Sequence, residues 1–160
     1  MSYRIGSGVD FHQLVEGREL WIGGVKLDHY KGALGHSDAD VLLHAICDAI
    51  LGAAGLGDIG SHFPDTDSTY KNIDSKVLLK KTFDLVSDRF VIVNLDCTVC
   101  LQVPIMRPSI PAMQEVISNM LNITKQDVSI KATTTEKMGF VGREEGVVAY
   151  ASVLLKQKDQ

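Results

Sequence analysis

The spacing of hydrophobic and polar positions changes several times along the chain, and each change predicts an element. Tyr3 to His12 reads as an extended segment in which residues two apart share a side, so Asp10 and His12 face one point. Leu20 to Leu27 places apolar arms around Gly23-Gly24, a pair able to take positive φ, and predicts a hairpin. Asp28 to Gly35 reads as a loop in which His29 is a surface residue. From about Ala39 the period lengthens: Val41, Leu42, Ala45, Ile46, Ala49 and Ile50 form a helical stripe. Ser37 or Asp38 is placed to cap that helix, and Asp40, His44 and Asp48 stand one turn apart on a second face, so that carboxylates at i−4 and i+4 are set to orient the histidine. The helix is expected to run out among Gly52, Gly55, Gly57 and Gly60, whose lack of a side chain lets backbone approach a ligand. Asp74 to Val86 predicts a second amphipathic helix, capped by Asp74 or Ser75.

Phe90 to Leu101 alternates, with Val91, Val93, Leu95, Cys97, Val99 and Leu101 expected on one face, and is the clearest strand. Pro104 and Pro108 break the run that follows, leaving backbone groups free to read a ligand edge. A third helix is expected from Pro111 to Leu121, with Ser109 as cap and Asn122 marking its end. Strands at Val128 to Thr134 and Val147 to Leu155 complete the chain, separated by a polar turn punctuated by Gly139, Gly142 and Gly146. This order predicts an α+β fold: a single-domain sandwich over residues 1–160, a mixed β-sheet with helices on one face plus a small β-hairpin.

Composition narrows the function classes. A chain of 160 residues can bury a core without disulfide or metal staples, and a net charge of −4 disfavours nucleic acid and anionic membranes as partners. Met1-Ser2-Tyr3-Arg4 opens no signal peptide and no apolar run is long enough for a span, so a cytoplasmic location is expected. Three cysteines agree with a reducing compartment. Cys97 and Cys100 form a C-x-x-C, but their odd spacing on a strand points them to opposite faces and favours core packing.

All five histidines lie between His12 and His62. If the first strand meets the first helix, Asp10, His12 and His44 offer one oxygen and two nitrogens, a set suited to Zn²⁺ with a fourth position open. The same residues also fit a capped turn with solvent-facing histidines. Asp48, one turn beyond His44, is placed to steady a ligand imidazole. His36 reads as a phosphate donor or an ordinary loop residue. Thr133-Thr134-Thr135-Glu136-Lys137 offers hydroxyls and one carboxylate at a strand end, where Glu136 could hold Mg²⁺, or where a solvated turn simply follows strand-forming threonines. No Gly-Lys-Ser/Thr sequence is present, so there is no P-loop.

Four stretches resemble the 2-C-methyl-D-erythritol 2,4-cyclodiphosphate synthases in one order across the chain: Arg4-Ile5-Gly6-x-Gly8-x-Asp10-x-His12, Gly35-His36-Ser37-Asp38-x-Asp40-x-x-x-His44, Leu56-Gly57-Asp58-Ile59-Gly60 through Phe63-Pro64-Asp65-Thr66-Asp67, and Ala132-Thr133-Thr134-Thr135-Glu136-Lys137 with Gly139-Phe140. The resemblance implies conversion of 4-diphosphocytidyl-2-C-methyl-D-erythritol 2-phosphate to the cyclic diphosphate plus CMP, in non-mevalonate isoprenoid biosynthesis, by a phosphorus-oxygen lyase. It implies Zn²⁺ on Asp10, His12 and His44, Mg²⁺ or Mn²⁺ on Glu136, and catalytic roles for His36, Thr134 and Glu136. Ser37 and His36 match contacts to the methylerythritol phosphate, Asp58 and Gly60 match ribose contacts, and Ile59, Phe63 and Asp65 stand in the same substrate-binding stretch. Leu101, Val103, Pro104, Ile105, Met106 and Arg107 match the cytosine pocket, and Thr133 and Thr134 match phosphate contacts. Phe140 and Arg143 complete the implied substrate-binding residues.

The resemblance further implies a homotrimer whose active sites lie between subunits. Ile105 stands where many members have lysine, and Glu144 replaces the middle glycine of a usual Gly-Arg-Gly-Glu-Gly. In the family Arg143 and Glu145 line a central cavity able to hold an isoprenoid diphosphate. Two other activities remain compatible with the residues: a Zn-dependent phosphohydrolase acting on a nucleoside diphosphate, and a non-enzymatic binder of an isoprenoid diphosphate.

Overall fold

The computed structural model describes residues 2–64 and 66–159. Seven strands occur among them: β1 (Tyr3–Glu16), β2 (Leu20–Ile22), β3 (Val25–Leu27), β4 (Lys31–Leu34), β5 (Phe90–Cys100), β6 (Val128–Thr133) and β7 (Gly146–Gln157). The main helices are α1 (Val41–Ala54), α3 (Ser75–Ser87) and α4 (Ile110–Leu121), with single turns α2 (Ile59–His62) and α5 (Gly139–Gly142). One five-stranded sheet has the order β4-β1-β7-β5-β6, and β2-β3 is the separate hairpin. Only β5 and β6 pair in parallel, because α4 carries the chain back between them, and the mixed sheet with helices agrees with the expected α+β class.

α1 is the centre of the core. Leu42, Leu43, Ile46, Ile50 and Leu51 are fully buried, each contributing about 1.5–3 kcal/mol. The helix is covered on nearly every side, and the single row left open is His44, Asp48 and Gly52, four residues apart. Its approach to the sheet depends on two glycines of β1. A Cβ at Gly6 would lie 1.9 Å from the Ala49 carbonyl oxygen, and one at Gly8 would lie 2.0 Å from that of Ala45. Gly6, Gly8, Asp10 and His12 share one face by the two-residue period. The positions that let α1 come close therefore continue directly into the two candidate ligands, Asp10 and His12.

Several expectations are corrected. The cap of α1 is Asp40, not Ser37 or Asp38, and the helix begins at Val41. Asp40 is fully buried and holds three amides, accepting from Leu43 N at 3.0 Å, Gly23 N at 2.9 Å and Gly24 N at 2.7 Å. It staples the hairpin turn to the helix and so is unavailable to orient His44. α1 continues through Gly52 to Ala54 and ends where Gly55 takes the left-handed conformation at φ 74. Lys31–Leu34, read as loop, is the edge strand β4 on Gln13–Glu16 of β1, with its small Gly32 and Ala33 buried. A register shift between Ile92 and Asn94 reverses the alternation in β5. Phe90, Ile92, Leu95, Cys97 and Val99 consequently point inward, whereas Val91 is exposed and Val93 half-exposed. α3 is capped by Asp74, and Asn122 ends α4 at φ 55, as expected. None of the helices is long and apolar enough to cross a membrane, among the described residues.

Candidate active site

Three side chains meet where the end of β1 passes α1. Asp10 Oδ2 lies 2.9 Å from His12 Nε2 and 3.2 Å from His44 Nδ1, and the two ring nitrogens are 3.3 Å apart. Donors bound tetrahedrally at about 2.0–2.1 Å from one ion stand about 3.3 Å from each other. The observed edges match that figure. His12 Nδ1 lies 3.0 Å from the Leu34 carbonyl oxygen, which only accepts, so Nδ1 carries the ring's proton. A neutral His12 then presents a lone pair to Asp10, and Asp10 Oδ2 is left as a buried oxygen without a hydrogen-bond partner. Lone pairs that converge this closely call for a cation between them, a proton on His12 in the metal-free protein or a metal ion shared by all three groups. The donor set, one carboxylate and two imidazoles, is the kind that holds Zn²⁺ with an open position.

The same electrostatics appears in the protonation of the pair. Burial acts to raise the Asp10 carboxyl, but the facing His12 and His44 rings outweigh it and hold it well below the usual carboxylate range. Burial acts to lower His12, and the Asp10 carboxylate reverses this and raises the imidazole.

The triad lies in a cavity of about 270 Å³ also lined by His36, Ser37, Ile59, Gly60 and Phe63. Tyr70 and Ile73, which carried no sequence signal, and Leu78 of α3 close its other side. His36 Nε2 is buried without a partner. Such a group costs about 1–3 kcal/mol unless a ligand satisfies it. Asp48 makes no bond to His44; its Oδ1 accepts from Ile59 N at 2.7 Å and so fixes the start of the glycine-rich turn. Asp58 caps that turn, accepting from Ser61 N at 2.9 Å and Ser61 Oγ at 2.6 Å, and these bonds lower its carboxyl. Asp65 lies outside the described residues.

The implied cytosine pocket is elsewhere on the chain. Leu101, Pro104, Ile105, Met106, Arg107, Thr133 and Thr134 line a cavity of about 660 Å³, joined there by Gln102, Ile110, Ile130, Lys131 and Ala132. Val103 sits in the same loop without lining the cavity. Gln102 Oε1 accepts from Lys137 N at 3.2 Å, tying this loop to the turn after β6. Thr134 Oγ1 donates to Glu136 Oε1 at 3.2 Å, and Glu136 is held at φ 53 with its side chain in solvent. Phe140 stands 6.2 Å from Phe11, ring to ring, and the exposed Arg143 pairs with Glu145 at 2.9 Å and 3.1 Å. The two cavities have no lining residue in common.

The cysteines take no part. Burial pushes the Cys97 thiol up to about 12, and Cys47 likewise to about 12, which suits packing and not nucleophilic or redox work.

Residues 3–156 match the YgbB family. A 2-C-methyl-D-erythritol 2,4-cyclodiphosphate synthase of Bacteroides thetaiotaomicron is 59% identical over 158 residues, covering 98% of this chain and 99% of the relative. Among solved structures, the bifunctional IspDF of Campylobacter jejuni superposes with a TM-score of 0.94 at 45% identity, covering 99% of this chain and 43% of that one. The CDP complex of IspF from Plasmodium falciparum superposes with a TM-score of 0.86 at 34% identity, covering 99% of this chain and 98% of that one.

Proposed function

The chain belongs to the YgbB family, and from that premise we infer that it converts 4-diphosphocytidyl-2-C-methyl-D-erythritol 2-phosphate to 2-C-methyl-D-erythritol 2,4-cyclodiphosphate and CMP. In that reaction an oxygen of the 2-phosphate forms a bond to the β-phosphorus and the bond from that phosphorus to the CMP oxygen breaks. The observation that carries the reading is the Asp10, His12 and His44 cluster, with donor spacings that fit one tetrahedral ion, in a chain matched almost end to end.

The attacking phosphate is already anionic, so the chain has little general-base work and must bring two negative groups together in line. When bound, zinc on Asp10, His12 and His44 and magnesium or manganese on Glu136 supply Lewis-acid stabilisation of the charge developing on the diphosphate. His36 and Ser37 offer a ring nitrogen and a hydroxyl at the metal cavity for the methylerythritol phosphate. Thr133 and Thr134 offer hydroxyls to the diphosphate at the larger cavity, whose volume and mixed lining suit a pyrimidine. Asp58 and Gly60 reach the ribose from the turn that Asp48 steadies. This assignment makes the protein a phosphorus-oxygen lyase, and we propose the cytoplasm as its location.

The site is assembled between copies of the chain in a homotrimer, the metal side from one and the base pocket largely from the next. Two features support this. The cavities are separate on one chain, and the outer sheet face leaves Tyr3, Ile5, Val9, Phe11 and Tyr150 exposed. A head-to-tail ring of three covers such a face and repeats one interface.

Phosphorus NMR of the product tests the function. The expected result is a cyclic diphosphate with stoichiometric CMP, abolished by a chelator. Inorganic phosphate or a linear diphosphate would instead identify a phosphohydrolase, and binding of an isoprenoid diphosphate without turnover would identify a binder.

A further inference from the structure

His44 has a second nitrogen, and its surroundings are as specific as those of the first. Nε2 lies 2.8 Å from Ser75 Oγ, and Ser75 Oγ is in turn hydrogen-bonded to Asp38 Oδ1. The Ser75 amide donates to the other carboxylate oxygen, Asp38 Oδ2, at 3.0 Å. Both polar groups of one residue therefore grip one carboxylate. Ser75 opens α3 and is fully buried, yet it is not the helix cap, since Asp74 accepts from Lys76 N at 2.8 Å. Its hydroxyl is free for another task. The segments are held in place independently: Asp38 N donates to Ile73 O at 3.1 Å and Asn72 N to His36 O at 2.8 Å.

Proton counting orients the chain. An ionised carboxylate only accepts, so the single Ser75 hydroxyl proton points to Asp38. Ser75 Oγ then turns a lone pair to His44, and Nε2 must be the protonated nitrogen. Nδ1 is left as the lone-pair nitrogen facing Asp10 Oδ2 at 3.2 Å and His12 Nε2 at 3.3 Å. Ser37 Oγ also lies near Nε2, but at 3.3 Å, and it already accepts from Ala39 N at 3.0 Å. The shorter and better-anchored hydroxyl is Ser75.

We propose that Asp38 and Ser75 are positioning residues for His44, a half-buried carboxylate-hydroxyl-imidazole relay that selects its tautomer and ring orientation and thereby sets zinc affinity. The proposal rests on the zinc reading of Asp10, His12 and His44. Removing a partner of this kind typically lowers metal affinity by about 10–100-fold.

The test measures zinc dissociation constants by chelator competition, together with the His44 Nε2 proton in zinc-loaded, nitrogen-labelled protein by NMR. Ser75→Ala should weaken zinc by about 10–100-fold and remove or shift the Nε2 proton resonance. Ser75→Thr, which keeps the hydroxyl, should restore most of both. Asp38→Asn keeps the size and one acceptor oxygen and should fall between them; it carries the test if Ser75→Ala does not fold. A folded Ser75→Ala protein with unchanged affinity and an unchanged resonance would reduce the relay to a strut between α3 and the preceding loop. If the wild-type protein itself failed to bind zinc, the metal reading would fall, and the relay with it.

Discussion

The proposed metal cavity and the proposed base cavity draw differently on the fold. At the metal side each of the three proposed ligands sits on a regular element: Asp10 and His12 on β1, His44 on α1, with the two elements locked by the close approach at Gly6 and Gly8. At the base side the end of β6 (Ile130 to Thr133) and the start of α4 share the lining with the loop after β5, where Ile105 is 81% exposed, and in the turn after β6 Glu136 stands in solvent. Positions fixed by backbone packing suit ligands that must converge within tenths of an ångström on an ion. Loops at strand ends suit recognition of a base, which tolerates adjustment but needs a second surface to close around it.

The largest effect that would break this contrast is at the metal side. His12→Ala should lose bound zinc by elemental analysis, and turnover should fall about 10³-fold or more, the equivalent of several kcal/mol of lost Lewis-acid stabilisation. Full zinc content in that variant would remove His12 from the ligand set. Next, Ala132→Trp fills the base cavity from an exposed lining position and should be nearly inactive with its zinc intact. Unfolded and refolded together 1:1 with His12→Ala, it should recover about a quarter of the sites, by counting ordered neighbours in a closed ring. Mixed trimers seen by mass spectrometry without recovered activity would place both cavities' work within one chain.

Smaller effects sharpen the comparison. Gly8→Ala drives a methyl into the α1 backbone and should cost about 3 kcal/mol, lowering Tm by roughly 6–12 °C. An unchanged Tm would mean that the approach of helix and strand is not what positions the ligands. Asp48→Ala removes the acceptor for Ile59 N and should raise KM about fivefold with zinc content unchanged, the worth of one hydrogen bond near 1 kcal/mol. Loss of zinc there would return Asp48 to the metal.

The smallest effect is one of sign. In zinc-free protein His12 is raised in the folded state, so its contribution is complete below about pH 6.5 and is lost as pH rises through the folded value. Asp10, held low, contributes above the ordinary carboxylate range and stays constant over that interval. Tm should therefore decline between about pH 6 and 8 without zinc and rise with it, since the ligating nitrogens must shed competing protons. Parallel slopes in the two titrations would count against metal binding at this pair.

Much of this was legible from residue order alone. The two-residue period of β1 put Asp10 and His12 on one side, the helical period put His44 on an open row of α1, and Asn122 marked where α4 ends. These are local matters, decided by backbone geometry over a few residues. What spacing could not reveal was contact between distant segments. Asp40 looked like a partner for His44 and became the staple of a hairpin sixteen and seventeen residues away, at Gly24 and Gly23. Ser75 looked like a cap and instead meets His44 across thirty-one residues. The phase of β5 turned on one extra residue at Val93, and the edge strand Lys31–Leu34 existed only because β1 lay beside it. Hydrogen-bond capacity is written in each side chain, but which partner satisfies it is settled by packing, because a buried polar group takes whatever donor or acceptor the core brings within reach.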